Sequence, residues 1–314
     1  MSSVKNPLHK TVTGHSPLQD KTAESIFMKY IEPLFRPPAE ADSLIFQVAY
    51  GCPHNHCKFC GMYKTVRYHL RNKTELLTEI AAAGIRYPFT RRVFLADGDI
   101  MALPFQLLVE YLEALNRAFP KLSRVNLYAN GSSIMMKTEA QLKELHKLKL
   151  NTLYMGLESG SQNVLDLFNK TESVEEMIQA VTCAQQNGLK CSVMILIGLG
   201  GKKYREEHIA QTISVLNRMQ PRQLSALRYI LIPGLSLPQE YLPVSEWEAV
   251  EELRRIIAGV ELDRTVFRAN HTSNPVPLSG RFPPDKKWML MDLDAELNSG
   301  ALDENGPGAL PLSL

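Results

Sequence analysis

Three cysteines within nine residues, Cys52, Cys57 and Cys60, are the strongest chemical signal in this 314-residue chain. They stand in Gly51-Cys52-Pro53-His54-Asn55-His56-Cys57-Lys58-Phe59-Cys60, a CxxxxCxxC spacing. Three thiolates on one short loop can hold three irons of a four-iron cluster and leave the fourth iron open to an outside ligand. The same thiols, with His54 or His56 as a fourth donor, would instead suit structural zinc. Spacing alone leaves both open. The other two cysteines, Cys183 and Cys191, lie far downstream and apart, so the odd total of five points to metal binding rather than a disulfide framework. Cys183 falls in a helical pattern and Cys191 at the start of a strand, and both read as core thiols.

The element before the cluster must position it. Residues 43–50 are rich in Ile, Phe, Val and Tyr and read as a strand ending at Gly51. Further strands are expected over 92–96, 124–128, 152–157, 190–197 and 224–232, with helices over 104–119, 138–148, 173–187 and 205–219 and from 245 onward. Pro104 suits a first helical turn. Thr138 with Gln141, Ser173 with Glu176 and Ser245 with Glu248 are capping boxes, and Asn187-Gly188 is a stop signal. Six strand-then-helix units over 43–260 predict a parallel sheet covered by helices, because parallel strands need crossover connections. Six are too few for a closed eight-stranded barrel. The expected fold class is α/β, a partial (β/α)6 TIM-like barrel. Residues 1–42 read as an N-terminal extension, 43–260 as the core barrel and 261–314 as a C-terminal segment packing on it. That segment is expected to carry a strand over 264–268, a closing helix over 284–297 and a frayed tail over 300–314.

Composition narrows the function classes. Lys and Arg total 35 against 33 Asp and Glu, a balance that gives no support to nucleic-acid or anionic-lipid binding. Hydrophobic residues at 45% place the chain among globular domains rather than disordered ones. The longest strongly apolar run, 193–199, falls well short of the roughly 20 residues a membrane helix needs. The first forty residues lack the basic start and apolar stretch of a secretory signal, so the expected location is the cytoplasm.

A three-cysteine loop after the first strand of an α/β barrel, with Phe59 just before the last cysteine, resembles the radical S-adenosylmethionine (SAM) superfamily. The usual spacing there is CxxxCxxC, and one residue is added here. The resemblance continues at 93–101, which looks like the second-strand motif that contacts the SAM amino group, with Asp97, Gly98 and Asp99 at the matching positions. Gly156-Leu157-Glu158-Ser159-Gly160-Ser161-Gln162 is similar to the fourth-strand motif of oxygen-independent coproporphyrinogen III oxidase, the tRNA methylthiotransferases and the elongator catalytic subunit. There Glu158 would meet the ribose hydroxyls. Lys170 falls where relatives carry a basic residue for the SAM carboxylate. Residues 195–201 resemble the fifth-strand stretch that packs on adenine, with Leu196 and Gly198 matching and Phe59 as an apolar wall.

This resemblance implies a [4Fe-4S] cluster on Cys52, Cys57 and Cys60, SAM as the second cofactor, and an electron donor such as flavodoxin or ferredoxin. It also implies reductive cleavage of SAM to a 5'-deoxyadenosyl radical that takes a hydrogen atom from an unidentified, small-molecule substrate. Each piece alone has a plainer reading as a turn, a surface carboxylate or a solvated lysine. Their order along strands one, two, four and five is what a single cofactor requires. The competing reading is a non-catalytic iron-sulfur or zinc-binding barrel. No second cysteine-rich segment is present for an auxiliary cluster, and no added domain for cobalamin or tRNA, so methylthiolation is not expected. Tyr128, Asn130, Arg228 and Tyr229 are candidate substrate contacts at the remaining strand ends. Tyr128 stands where coproporphyrinogen oxidases carry an acidic residue, and their histidine-containing segment before the cluster is missing, which argues against porphyrinogen oxidation. Arg228, inside an apolar strand, reads first as a partner for a core carboxylate. The polar run 267–274, with His271, reads as an ordinary turn that would cap the barrel mouth if it faces the site.

Overall fold

The computed structural model describes residues 28 and 30–309. Strand β1 (Leu44–Gln47) breaks at Val48, and the chain then forms β2 (Ala49–Tyr50), which pairs antiparallel with β3 (His69–Leu70). The cysteine loop hangs between these two short strands. Next come α1 (Lys73–Arg86), β4 (Arg92–Ala96), α2 (Phe105–Ala118), β5 (Arg124–Tyr128), α3 (Gly131–Met135), α4 (Glu139–Lys147) and β6 (Leu150–Glu158). They are followed by α5 (Gln162–Leu167), α6 (Val174–Gln186), β7 (Lys190–Ile197), α7 (Arg205–Met219), β8 (Gln223–Arg228) and α8 (Glu246–Gly259). The described fold closes with β9 (Thr265–Ala269), β10 (Leu278–Phe282) and α9 (Lys286–Leu297).

One eight-stranded sheet runs in the order β1-β4-β5-β6-β7-β8-β9-β10. All its pairings are parallel up to β9, and β10 returns antiparallel. The expected partial barrel is therefore present in open form, with one further parallel strand, β9, and an antiparallel edge. The edge strand has no counterpart among the expected elements. Its sequence Leu-Ser-Gly-Arg-Phe lies between prolines and has no β-branched residues, a pattern that only an edge strand tolerates. All three expected capping boxes form, so the starts of α4, α6 and α8 are encoded locally. Strand β8 ends at Arg228 rather than 232, because Ile232 leaves the sheet to reach the cysteine loop at Gly61.

Alternation along each strand sorts residues between the helical layer and the lumen. Phe46, Val93, Leu95, Val125, Val193, Ile195 and Phe267 are buried in the main core, toward the helices. Ile45, Phe94, Ala96 and Tyr154 form a second cluster inside the curve of the sheet, joined by Leu34 from the N-terminal segment. That segment is fastened at several points. Gln47 exchanges hydrogen bonds with both backbone groups of Ile31, at 2.9 Å each. Buried Glu40 accepts hydrogen bonds from Asn126 Nδ2 at 2.7 Å, Tyr154 OH at 2.5 Å and Ser43 Oγ at 2.5 Å.

The expected frayed tail is corrected for the residues that are described. Asp303 accepts hydrogen bonds from the N–H groups of Asn305, Gly306 and Gly308, while the Asp303 and Gly306 carbonyls accept from the N–H groups of Trp247 and Glu246. The tail thus satisfies donors at the start of α8 that the helix itself cannot pair. Residues 310–314 of the expected tail lie outside the described residues, as do 1–27 and 29 of the expected N-terminal extension.

Removing Glu40 leaves two lumen donors, on Asn126 and Tyr154, without an acceptor. Glu40→Ala is expected to lower the unfolding free energy by about 2–4 kcal/mol, measured by urea denaturation.

Candidate active site

The loop that carries the cysteines has no helix or strand between Gly51 and Tyr68, and the turn after β4 holds it. Gly98 has φ +35°, and a Cβ there would lie 2.4 Å from the Gly51 carbonyl oxygen and 2.8 Å from Cys52 Cα. Only glycine permits this approach. On either side of it stand two buried carboxylates. Asp97 accepts from Gln47 Nε2 at 2.7 Å and Tyr63 OH at 3.0 Å, the latter residue lying just beyond the last cysteine. Burial pushes the Asp97 carboxyl up to about 6 despite these donors. Asp99 Oδ2 meets His54 Nε2 at 3.1 Å, while its Oδ1 accepts from Ser133 Oγ at 2.8 Å and the Asn130 N–H at 3.2 Å. The hydrogen bond to Asp99 raises the His54 pKa against the opposing effect of burial. Of the expected triplet, then, Asp97 and Asp99 spend their side chains on holding the loop and its surroundings.

Cys52, Cys57 and Cys60 are half-buried and free. Burial pushes the Cys52 thiol up to about 11 and raises the other two. Iron coordination would offset that cost by stabilising the thiolates. Of the two alternative zinc donors, His54 is turned to Asp99 and His56 is exposed. Among the described residues no three Cys, His, Asp or Glu side chains are gathered as a site for one ion. A donor set of three thiols on one loop fits a cluster that takes one thiolate per iron.

Beside the thiols lies an apolar shelf. Phe59, Val164, Phe168, Leu196, Leu199 and Tyr241 form one cluster with Cys57 and Cys60 packed against it. Gly198 (φ +84°) lies at its rim, with its N–H donating to Glu252 Oε1 at 2.6 Å and its carbonyl accepting from Tyr241 OH at 2.9 Å. Glu158 ends β6 in a left-handed conformation, φ +63°, and its buried Oε2 has no hydrogen-bond partner among the described residues. Burial pushes its carboxyl up to about 7 against the pull of Lys170. Lys170 is itself buried and pairs with Glu172 at 3.0 Å. Burial works against the ammonium, but Glu172 and Glu158 outweigh it and hold its pKa above the usual lysine value.

Several residues of the site lie outside the expected set. Glu172 fixes Lys170 and also accepts the Ser132 N–H at 2.9 Å. Ser159, next to Glu158, meets His208 Nδ1 at 2.7 Å, and His208 Nε2 faces Glu252 Oε1 at 3.2 Å. Ser159, His208 and Glu252 form a fully buried polar cluster between the end of β6 and Gly198, in which His208 Nε2 has no hydrogen-bond partner among the described residues. The sequence holds a signal for it, since His208 and Glu252 occupy otherwise apolar helix faces with Thr212 and Val215, and with Ala249 and Ile256. Arg228 shares its face with Leu224 and Ala226, toward α8 rather than the lumen, 3.9 Å from Glu246. It is therefore no substrate contact, and the reading as a carboxylate partner holds. Tyr128 packs edge-on against Phe94 inside the barrel, Asn130 caps α3, and Tyr229 joins the aromatic shelf with its hydroxyl buried and unpartnered among the described residues.

The radical SAM superfamily model matches residues 46–216, more than half the chain. The chain belongs to the radical SAM superfamily. Members of that superfamily use a [4Fe-4S] cluster and SAM. Among curated proteins it is 24% identical over 267 residues to the anaerobic magnesium-protoporphyrin IX monomethyl ester cyclase of Rubrivivax gelatinosus, a match covering 80% of this chain and 47% of that protein. The chain thus spans about half the length of that relative. Among solved structures, coproporphyrinogen III oxidase from Escherichia coli, described as a radical SAM enzyme, aligns with TM-score 0.54 at 18% identity, over 76% of this chain and 55% of its own. The FeFe-hydrogenase maturase of Carboxydothermus hydrogenoformans aligns with TM-score 0.50 at 19% identity, over 80% and 56%. These two likenesses establish the radical SAM barrel as the fold. No helix among the described residues is long and apolar enough to cross a membrane.

Gly98→Ala forces the loop root away from the β4 turn. The variant is expected to take up markedly less iron on anaerobic reconstitution, measured as iron per chain and visible absorbance, while the far-UV circular dichroism stays that of the wild type.

Proposed function

We propose that the protein cleaves SAM reductively at a [4Fe-4S] cluster held by Cys52, Cys57 and Cys60 and directs the product radical to a hydrogen atom of a small-molecule substrate. The observation that carries this reading is the adjacency of three half-buried thiols, an apolar shelf and the buried, unpartnered carboxylate of Glu158. When bound, the cluster supplies one electron to the sulfonium, which separates into methionine and a 5'-deoxyadenosyl radical.

The chain's own residues supply position. Glu158, short of a donor for Oε2, accepts from the ribose hydroxyls. Lys170, held by Glu172, takes the methionine carboxylate, and the main chain of the Asp97–Asp99 turn faces the amino group. Phe59 and Leu196 cover the adenine, and Gly198 lies at the rim of that shelf. The shelf keeps water from the reacting carbon. Exposed Lys58 and Arg67, close to the cysteines in sequence, suit an acidic electron donor of flavodoxin or ferredoxin type.

Anaerobically reconstituted protein given dithionite and SAM is expected to release 5'-deoxyadenosine, measured by chromatography. Cluster-loaded protein that releases none would refute the reading. Cys57→Ala should bring release to background, and Glu158→Gln should raise the KM for SAM by about tenfold, the loss of one hydrogen bond to a charged group.

A further inference from the structure

We propose that Arg268 anchors an oxyanion, carboxylate or phosphate, on the substrate, so that the enzyme acts on a small anionic molecule. This rests on the radical SAM reading above and adds the substrate class to it.

The lumen is filled unevenly. On the β1 to β6 side Gln47, Phe94 and Ala96 are at 0% exposure and Asn126 at 2%, while Tyr128, Thr152 and Gly156 keep part of their surface. There the N-terminal segment brings in Leu34 and Glu40 to complete the packing. On the β7 to β9 side, Met194, Ser225, Leu227 and Arg268 keep part of their surface. Space beside Gly156 and Tyr128 is therefore bordered by this second wall. Arg268 alternates with Phe267 and Ala269, which are buried in the core, so its side chain faces the lumen. Its Nε is sealed from solvent without a hydrogen-bond partner, and it forms no ion pair among the described residues. An anion would supply the acceptor that Nε lacks, and the planar fork of the guanidinium matches a carboxylate or phosphate.

Strand register fixes the depth of this group. Gly156, Met194, Ser225 and Arg268 lie in one layer across β6 to β9. The carboxylate of Glu158 folds back to that layer, since a Cβ on Gly156 would overlap its Oε1. Glu158 and Arg268 thus look into the lumen at one level, three strand spacings apart, on the order of 14 Å around the wall. A ribose held by Glu158 leaves its 5' carbon facing a molecule whose anion sits on Arg268, and the anchor decides which hydrogen is presented. Lys170 follows α5, on the cysteine side of Glu158, so the methionine carboxylate of SAM does not need Arg268.

The test is equilibrium binding of succinate and of inorganic phosphate to the reconstituted full-length protein with SAM bound and the cluster oxidised, by isothermal titration calorimetry. Wild type is expected to bind at least one probe, and Arg268→Gln to bind it about tenfold or more weakly. Whichever probe binds separates carboxylate from phosphate. Arg268→Lys, which keeps the charge but not the fork, should fall between the two and serves as the comparison if Arg268→Gln does not fold. Equal affinity in wild type and variants, or no binding of either probe to wild type, overturns the proposal. So does a tenfold loss of SAM affinity in Arg268→Gln, which would put the guanidinium on the cofactor. Failure of wild type to release 5'-deoxyadenosine overturns the radical SAM reading instead, whatever the probes do.

Discussion

Two carboxylates and one glycine on the turn after β4 hold a loop that has no secondary structure of its own. Asp97 reaches Tyr63 beyond the last cysteine, Asp99 reaches His54 between the first two, and Gly98 lies against the backbone of Gly51 and Cys52. Each buried hydrogen bond to a carboxylate contributes roughly 1.5–3 kcal/mol, and each would leave an uncompensated group if broken. The thiols are therefore placed by the turn after β4 together with bonds inside the loop, such as Asn55 Nδ2 to the Tyr63 carbonyl, and bonds to Phe168 and Asn169 after α5. Whatever binds them meets the turn and the end of β6 at fixed depth.

The cofactor wall is arranged by charge and by dryness together. Glu158 is buried in an environment that resists its ionisation, and Lys170 is buried in one that favours its charge because Glu172 stands beside it. Behind this wall the buried cluster of Ser159, His208 and Glu252 packs between the loops that follow β6 and β7, with Ser159 bonded to His208 and Glu252 to the Gly198 N–H.

The local parts of this design were legible in the residues themselves. Capping boxes at Thr138, Ser173 and Ser245, the stop at Asn187-Gly188 and the alternation of apolar patterns all act over a few positions, so they yield helix starts and a parallel barrel. The cysteine spacing, Glu158 and Lys170 could be singled out because their order along the strands mirrors one ligand. Strand β10 escaped that reading, since an edge strand needs neither an apolar face nor β-branched residues. Glu172, His208 and Glu252 escaped it because a polar residue inside an apolar stripe says only that a partner is required.

The sequence by itself determined the strand-and-helix alternation, the three-thiol loop and its place after the first strand, because each depends on interactions between near neighbours in the chain. Only the tertiary structure decided which way the long polar side chains turn. It put Arg228 among the helices and Arg268 in the lumen, although both interrupt apolar strands, because the face a strand residue takes depends on register with strands far away in sequence. It also turned Asp97 and Asp99 toward the loop, since burial leaves a carboxylate stable only where the folded chain brings donors to it.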